Sequence, residues 1–187
     1  MQKADTILVA GAGGFIGGAL VAHLRSQGFT KLRAVDQKPL SEWYQKFDDV
    51  DNHVLNLKDL FNCRAAARGQ QHIYNLAADM GGMGFIEHHK AECMLSVLIN
   101  THMLMAAREN NAERFFFASS ACVYNGEKQT DANVTALKEE DAYPALAEDG
   151  YGWEKLFSER MCRHFREDFG LAARTARYHN PPSSVAR

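Results

Sequence analysis

The sequence lacks the features that mark several classes of protein. It has four prolines and four cysteines in 187 residues, and Cys63, Cys93, Cys122 and Cys162 form no C-x-x-C pair. Thiols spaced in this way favour a reducing compartment and free cysteines. No apolar run approaches the ~18–20 residues that span a bilayer. The early apolar run Thr6–Ala10 leads into glycines rather than a cleavage site. We therefore expect a cytoplasmic protein with no membrane partner.

The charge balance argues against a protein that binds nucleic acid through a basic surface. The chain carries 21 Lys and Arg against 23 Asp and Glu, a net charge of −2, so no broad basic field is available for nucleic acid. Apolar residues make up 46% and charged residues 24%, which is typical of a globular chain. The length is that of one domain.

Apolar runs of strand length alternate with stretches of helical period along the chain. Buried parallel strands have such runs, and this alternation predicts an α/β fold with a doubly wound parallel sheet and helices on both faces. The six runs also match the strand count of the dinucleotide-binding Rossmann fold. We expect residues 1–180 to form this domain and 181–187 a loose tail. The predicted strands are Thr6–Ala10, Leu32–Asp36, His53–Asn56, Ile73–Ala77, Phe115–Ser119 and Ala172–Tyr178, and the predicted helices start at Ile16, Asp59, His88 and Gly152 and end near Gly28, Arg68, Asn110 and Phe169.

A glycine turn follows the first strand directly. Gly11, Gly14 and Gly17 are spaced G-x-x-G-x-x-G and open the first helix. Glycine allows a tight turn and a close approach to a pyrophosphate, which the helix N-terminus can bind. Asp36 ends the second strand, where its carboxylate can bind an adenosine ribose and repel a 2′-phosphate. The pattern predicts a site for NAD rather than NADP.

A second set of residues points to chemistry at the same edge of the sheet. Tyr151 and Lys155 are four residues apart and share a face of the fourth predicted helix. We expect the ammonium group to lower the pKa of the phenol from its usual value near 10. Ser120 ends the fifth strand, where it can orient a substrate oxygen toward Tyr151.

These motifs resemble a known family. The turn GAGGFIG, the strand end SSACVY and the helix YGWEK are similar to extended short-chain dehydrogenases/reductases that act on nucleotide sugars. NLAADMGGMGF (residues 75–85), RFFFASSACVY (114–124) and the YHN of 178–180 resemble the GDP-mannose 3,5-epimerase branch of that family. The resemblance implies NAD contacts from Gly11, Gly13, Gly14, Phe15, Ile16, Gly17, Asp36, Asn56, Leu57, Ala77, Tyr151 and Lys155, and substrate contacts from Gly81, Ser120, Cys122 and Asn180.

The resemblance also implies roles in catalysis. Tyr151 would take the proton of the sugar C4 hydroxyl, Lys155 would tune Tyr151 and hold ribose, and Ser120 would orient the substrate. Cys122 would exchange protons at C3 and C5, and a neighbouring cation can lower the pKa of such a thiol. The second acid/base of the family, a lysine of a substrate lobe, has no counterpart in the sequence. We therefore expect this chain to bind NAD, to bind a GDP-mannose-like sugar weakly and to turn over slowly or not at all.

Several alternatives remain open at this stage. The chain could be a noncatalytic NAD-binding sensor, or a 4-epimerase or dehydratase for another nucleotide sugar. Asn56 stands where relatives usually have an aspartate, and its amide can still donate and accept hydrogen bonds. His88, His89 and Cys93 lack a third and fourth ligand at a suitable spacing, so we expect no metal. The apolar third helix and the Tyr-Lys helix are expected to form a homodimer contact.

Overall fold

A six-stranded parallel sheet organises the chain. The computed structural model describes residues 1–79, 84, 88–129 and 137–179. The strand order is β3-β2-β1-β4-β5-β6, so the chain crosses over from one edge of the sheet to the middle and then proceeds to the other edge. The strands are β1 (Ile7–Ala10), β2 (Leu32–Asp36), β3 (Asp51–Val54), β4 (His72–Asn75), β5 (Arg114–Ser120) and β6 (Ala172–Tyr178).

Four α-helices in the described part of the chain connect the strands. They are α1 (Phe15–Ser26), α2 (Leu60–Ala67), α3 (Lys90–Glu109) and α4 (Asp149–Phe169). The side chain of Asp59 caps α2 by accepting a 2.7 Å hydrogen bond from the Phe61 amide. Helix α4 ends at Gly170, whose φ of +71° is the left-handed conformation that glycine adopts without strain.

The helices cover the sheet from both faces because successive strand residues point to opposite sides. On one face, Ile7 and Val9 of β1 pack with Val21 and Leu24 of α1. The other face holds the larger core, in which strand residues pack against α2, α3 and α4. Members of this core include Leu8, Ile73, Phe115, Phe117, Cys63, Met103, Leu104 and Cys162.

The structure confirms the predicted doubly wound α/β fold and shifts several boundaries. Strands β3 and β4 end earlier than predicted, so that Asn56 and Ala77 lie in the loops beyond them. Helix α4 begins at Asp149, three residues before the predicted start. Gly81, Asn180 and the predicted tail 181–187 lie outside the described residues. No helix in the described part of the chain has the length and apolar character needed to cross a membrane.

The glycine turn joins β1 to α1 through contacts that leave no room for side chains. Gly11 has a φ of +82°, and its amide donates to the Val35 carbonyl at 2.8 Å. A Cβ on Gly11 would lie 2.8 Å from the Ala77 amide nitrogen, and a Cβ on Gly17 would lie 2.1 Å from the Gly11 carbonyl oxygen. These distances require glycine at both positions.

Substituting Gly17 tests the close packing between the glycine turn and α1. Alanine is normally the better helix residue, so Gly17→Ala would stabilise α1 if its side chain had space. Because the added methyl meets a backbone oxygen, we expect the free energy of unfolding to fall by about 1–3 kcal/mol in urea denaturation. Gly18→Ala is the matched control, since its Cβ faces the side chain of Gln45 at 3.2 Å. An equal effect of the two substitutions would contradict the steric explanation.

Candidate active site

The first part of the site lies where β1 and β2 end. The carboxylate of Asp36 accepts hydrogen bonds from the amides of Gly13 and Lys38, both at 3.0 Å. These bonds fix the acid beside the glycine turn, as predicted. The amides of the first turn of α1 precede its first intrahelical donor, Gly18, and the helix N-terminus is electropositive. This glycine-lined cradle fits the pyrophosphate and ribose of a dinucleotide.

The predicted adenine-side residues stand around the same edge. Leu57 is buried, whereas Asn56 is exposed and its side-chain oxygen accepts a 3.0 Å hydrogen bond from the Lys58 amide. The sequence did not indicate the ion pair between Lys58 and Asp79, which bridges the loops after β3 and β4. The Asp79 amide donates to the Ser96 hydroxyl at 2.9 Å, so α3 holds this loop in place.

The second part of the site lies where β5 meets the start of α4. The Ser120 hydroxyl accepts a 3.2 Å hydrogen bond from the Cys122 amide and lies near enough to the phenol of Tyr151 to lower its pKa. The Cys122 carbonyl accepts from the Glu148 amide at 2.9 Å. A Cβ on Gly152 would lie 2.3 Å from that carbonyl oxygen. The structure therefore brings the predicted residues Ser120, Cys122 and Tyr151 together.

The ionisation of Tyr151 differs from the prediction. Burial raises the pKa of its phenol to about 12, and the hydrogen bond from Ser120 opposes this shift only in part. The Lys155 ammonium lies 5.5 Å from the centre of the Tyr151 ring. The expectation that this cation lowers the pKa below its usual value is wrong for the chain alone, because loss of water around the phenol has the larger effect.

The thiol of Cys122 is a weaker acid than a free thiol. Burial raises its pKa, the Ser120 side chain lowers it, and the nearby carboxylate of Glu148 raises it further. An acid beside the thiol disfavours a second negative charge. Cys122 is therefore a protonated thiol at neutral pH and is suited to donate a proton.

A buried polar residue of α3, Asn100, was not predicted from the sequence. Asn100 of α3 accepts a 3.1 Å hydrogen bond from Asn75 at the end of β4 and donates to the Ser158 carbonyl of α4 at 3.3 Å. It thereby ties together three elements that carry the site. A signal was present, since Asn100 is a polar residue inside the apolar stretch of the third helix.

A second missed residue is Glu154, which precedes Lys155 and is buried with it. A buried acid is unusual unless it is paired, so its position in the Tyr-Lys helix was the available signal. Within the described ranges, no group of three or more His, Cys, Asp or Glu side chains is placed to hold a metal ion. The arrangement as a whole offers a dinucleotide cradle and, next to it, a phenol, a thiol and a serine hydroxyl.

The chain is similar to known epimerases over most of its length. GDP-mannose 3,5-epimerase 1 of Oryza sativa subsp. japonica is 43% identical over 175 residues, which are 93% of this chain and 46% of that protein. The chain spans about half the length of the curated relatives it matches.

Solved structures also resemble this chain over most of its length. A UDP-galactose 4-epimerase has a TM-score of 0.78 at 27% identity, covering 94% of this chain and 56% of that one. A short-chain dehydrogenase/reductase superfamily protein from Agrobacterium tumefaciens with bound NAD has a TM-score of 0.75 at 26% identity, covering 92% and 48%. The sequence matches one family over residues 7–184, and the chain belongs to it: the NAD dependent epimerase/dehydratase family.

Proposed function

We propose that this chain is the cofactor-binding and catalytic part of an NAD-dependent nucleotide-sugar epimerase that acts on GDP-mannose or a close analogue. The convergence of Tyr151, Ser120 and Cys122 next to the glycine turn carries the proposal. The identity with GDP-mannose 3,5-epimerases supports the choice of sugar nucleotide.

The choice of cofactor depends on Asp36. Its carboxylate is held by two backbone amides at the end of β2, next to the turn. A 2′-phosphate on the adenosine ribose would be repelled by this charge, whereas two ribose hydroxyls can donate to it. Bound NAD would supply a reversible hydride acceptor.

The residues of the chain divide the proton transfers between them. Ser120 orients the sugar oxygen, and Tyr151 in its phenolate form, the minor form in the chain alone, takes the C4 hydroxyl proton and later returns it. Oxidation at C4 makes the hydrogens at C3 and C5 acidic, because the neighbouring ketone stabilises the carbanion. Once a base on the opposite face has removed one of these hydrogens as a proton, Cys122 in its thiol form donates a proton to the other face of the carbanion. Epimerisation leaves the sugar at its original oxidation state.

The two long helices favour a homodimer. Apolar side chains on the outer surfaces of α3 and α4 are exposed, namely Met94, Leu95, Leu98, Trp153 and Phe157. Exposed apolar side chains grouped on two packed helices are typical of an interface.

The reaction can be followed by hydrogen exchange, which reports even slow turnover. In heavy water with NAD and GDP-mannose, we expect transient reduced-nicotinamide absorbance and deuterium at C3 or C5. Tyr151→Phe should lower both signals by about 10²–10⁴-fold, the usual contribution of an acid/base group. Cys122→Ser should lower the exchange and keep the absorbance. Tyr143→Phe, on an exposed tyrosine, is the control.

Other outcomes identify the alternatives. Inversion at C4 without deuterium incorporation would indicate a 4-epimerase. The structural similarity to a UDP-galactose 4-epimerase is the reason for testing this alternative. NAD binding with no sugar-dependent signal would indicate a noncatalytic sensor. Absence of NAD binding by the folded chain would contradict the proposal as a whole.

The dimer can be tested separately. We expect light scattering after size exclusion to give the mass of two chains, and Phe157→Glu to give the mass of one, because a buried unpaired charge is costly at an apolar interface. Phe61→Glu is the control, since Phe61 is exposed on α2 rather than on α3 or α4. A parent protein that remains monomeric at high concentration would contradict the proposed interface.

A further inference from the structure

A buried carboxylate stands next to the lysine of the candidate site. Glu154 and Lys155 are neighbours on α4, and only 3% and 4% of their surfaces are exposed. Charged residues are rarely buried to this degree unless they are paired. Glu154 has no part in the proposed proton transfers, so its burial at this position requires another explanation.

The contacts of Glu154 leave one of its carboxylate oxygens facing Lys155. Its Oε1 accepts a 2.9 Å hydrogen bond from the hydroxyl of Ser158, which is fully buried one turn later. Its Oε2 is buried, lies 3.6 Å from the Lys155 Nζ and accepts no hydrogen bond within the described residues. One carboxylate oxygen is thus fixed, and the other is left facing the ammonium group.

Lys155 is otherwise surrounded by groups that do not balance its charge. Its Nζ lies 4.7 Å from the centre of the Phe117 ring and 5.5 Å from that of Tyr151. Within the described residues, the titratable groups in this region include Tyr151 and three thiols that lie near the pair or near Tyr151. Burial raises the pKa of every one of them, so they are neutral near pH 7: the thiols are Cys93 on α3, Cys122 after β5 and Cys162 on α4.

Two other acids in this region are already paired. Glu159, one turn further along α4, accepts two hydrogen bonds from Arg177 and one from Ser119. Asp79 pairs with Lys58. Among the residues that the structure describes around Lys155, Glu154 is therefore the acid that can balance the buried ammonium charge.

We propose that Glu154 is a positioning residue that holds Lys155 as an ammonium ion inside the site. This inference rests on the proposed function, in which Lys155 holds the nicotinamide ribose and supports Tyr151. Burial lowers the pKa of Lys155 and so favours its neutral amine, and the adjacent carboxylate of Glu154 opposes that shift. A neutral amine would lose both the charge and one of its three donor hydrogens.

The test compares Glu154→Gln with the parent over a range of pH. Glutamine has nearly the same shape and can still accept from Ser158, but it cannot carry charge. Calorimetry should show NAD affinity reduced by about tenfold or more at neutral and alkaline pH, because each unit by which the lysine pKa falls changes the ammonium fraction up to tenfold. At mildly acidic pH the lysine is protonated again, and the affinity should approach that of the parent.

Two variants separate this role from simple loss of stability. Glu159→Gln also removes a partly buried charge from α4, yet its partner is Arg177, so we expect lower stability and an unchanged pH profile of NAD binding. Glu154→Asp keeps the charge and should restore most of the parental profile. If Glu154→Gln fails to fold, Ser158→Ala, which removes the hydroxyl that donates to the carboxylate, should move the profile in the same direction by less.

A direct measurement distinguishes failure of this inference from failure of the proposed function. NMR of the lysine side chains, with the signal of Lys155 assigned through Lys155→Arg, should show its ammonium group losing its proton at lower pH in Glu154→Gln than in the parent. The same titration in both proteins, or an NAD affinity reduced equally at every pH, would overturn the role of Glu154. A parent that binds no NAD while the lysine titration shifts would overturn the proposed function alone.

Discussion

The candidate site depends on one close contact between backbones. The turn after β5 and the first turn of α4 meet at the Cys122 carbonyl, which accepts from the Glu148 amide and leaves no space for a side chain at position 152. Helix α4 can approach this turn so closely because residue 152, which follows Tyr151, is a glycine and has no side chain. The phenol, the thiol and the Ser120 hydroxyl therefore share one site because of a contact between main-chain atoms.

Burial is the second constraint on the site, and it acts against ionisation. The phenol of Tyr151 and the thiol of Cys122 both have raised pKa values, chiefly because burial removes water from each group. A site of this kind starts from neutral acids. Its chemistry then depends on the few charges that remain inside, of which the Glu154–Lys155 pair is the nearest to the phenol described here.

The sequence predicted those parts of the site that backbone patterns dictate. The order of strand, glycine turn, helix and acid located the dinucleotide cradle, and the spacing of Tyr151 and Lys155 placed both on one helix. It could not predict the direction of the pKa shifts, because these depend on how completely neighbouring elements exclude water. Asn100 and Glu154 were missed for a related reason, since their partners are far away in sequence or become apparent only when burial is known.

The distribution of the cysteines has a practical consequence. Three thiols, Cys63, Cys93 and Cys162, are buried in the fold, whereas Cys122 is half-buried at the mouth of the site. An alkylating reagent or a mild oxidant therefore reaches Cys122 first, at a rate limited by its small thiolate fraction. A spectroscopic label attached through sulfur would consequently report on this cleft rather than on the protein interior.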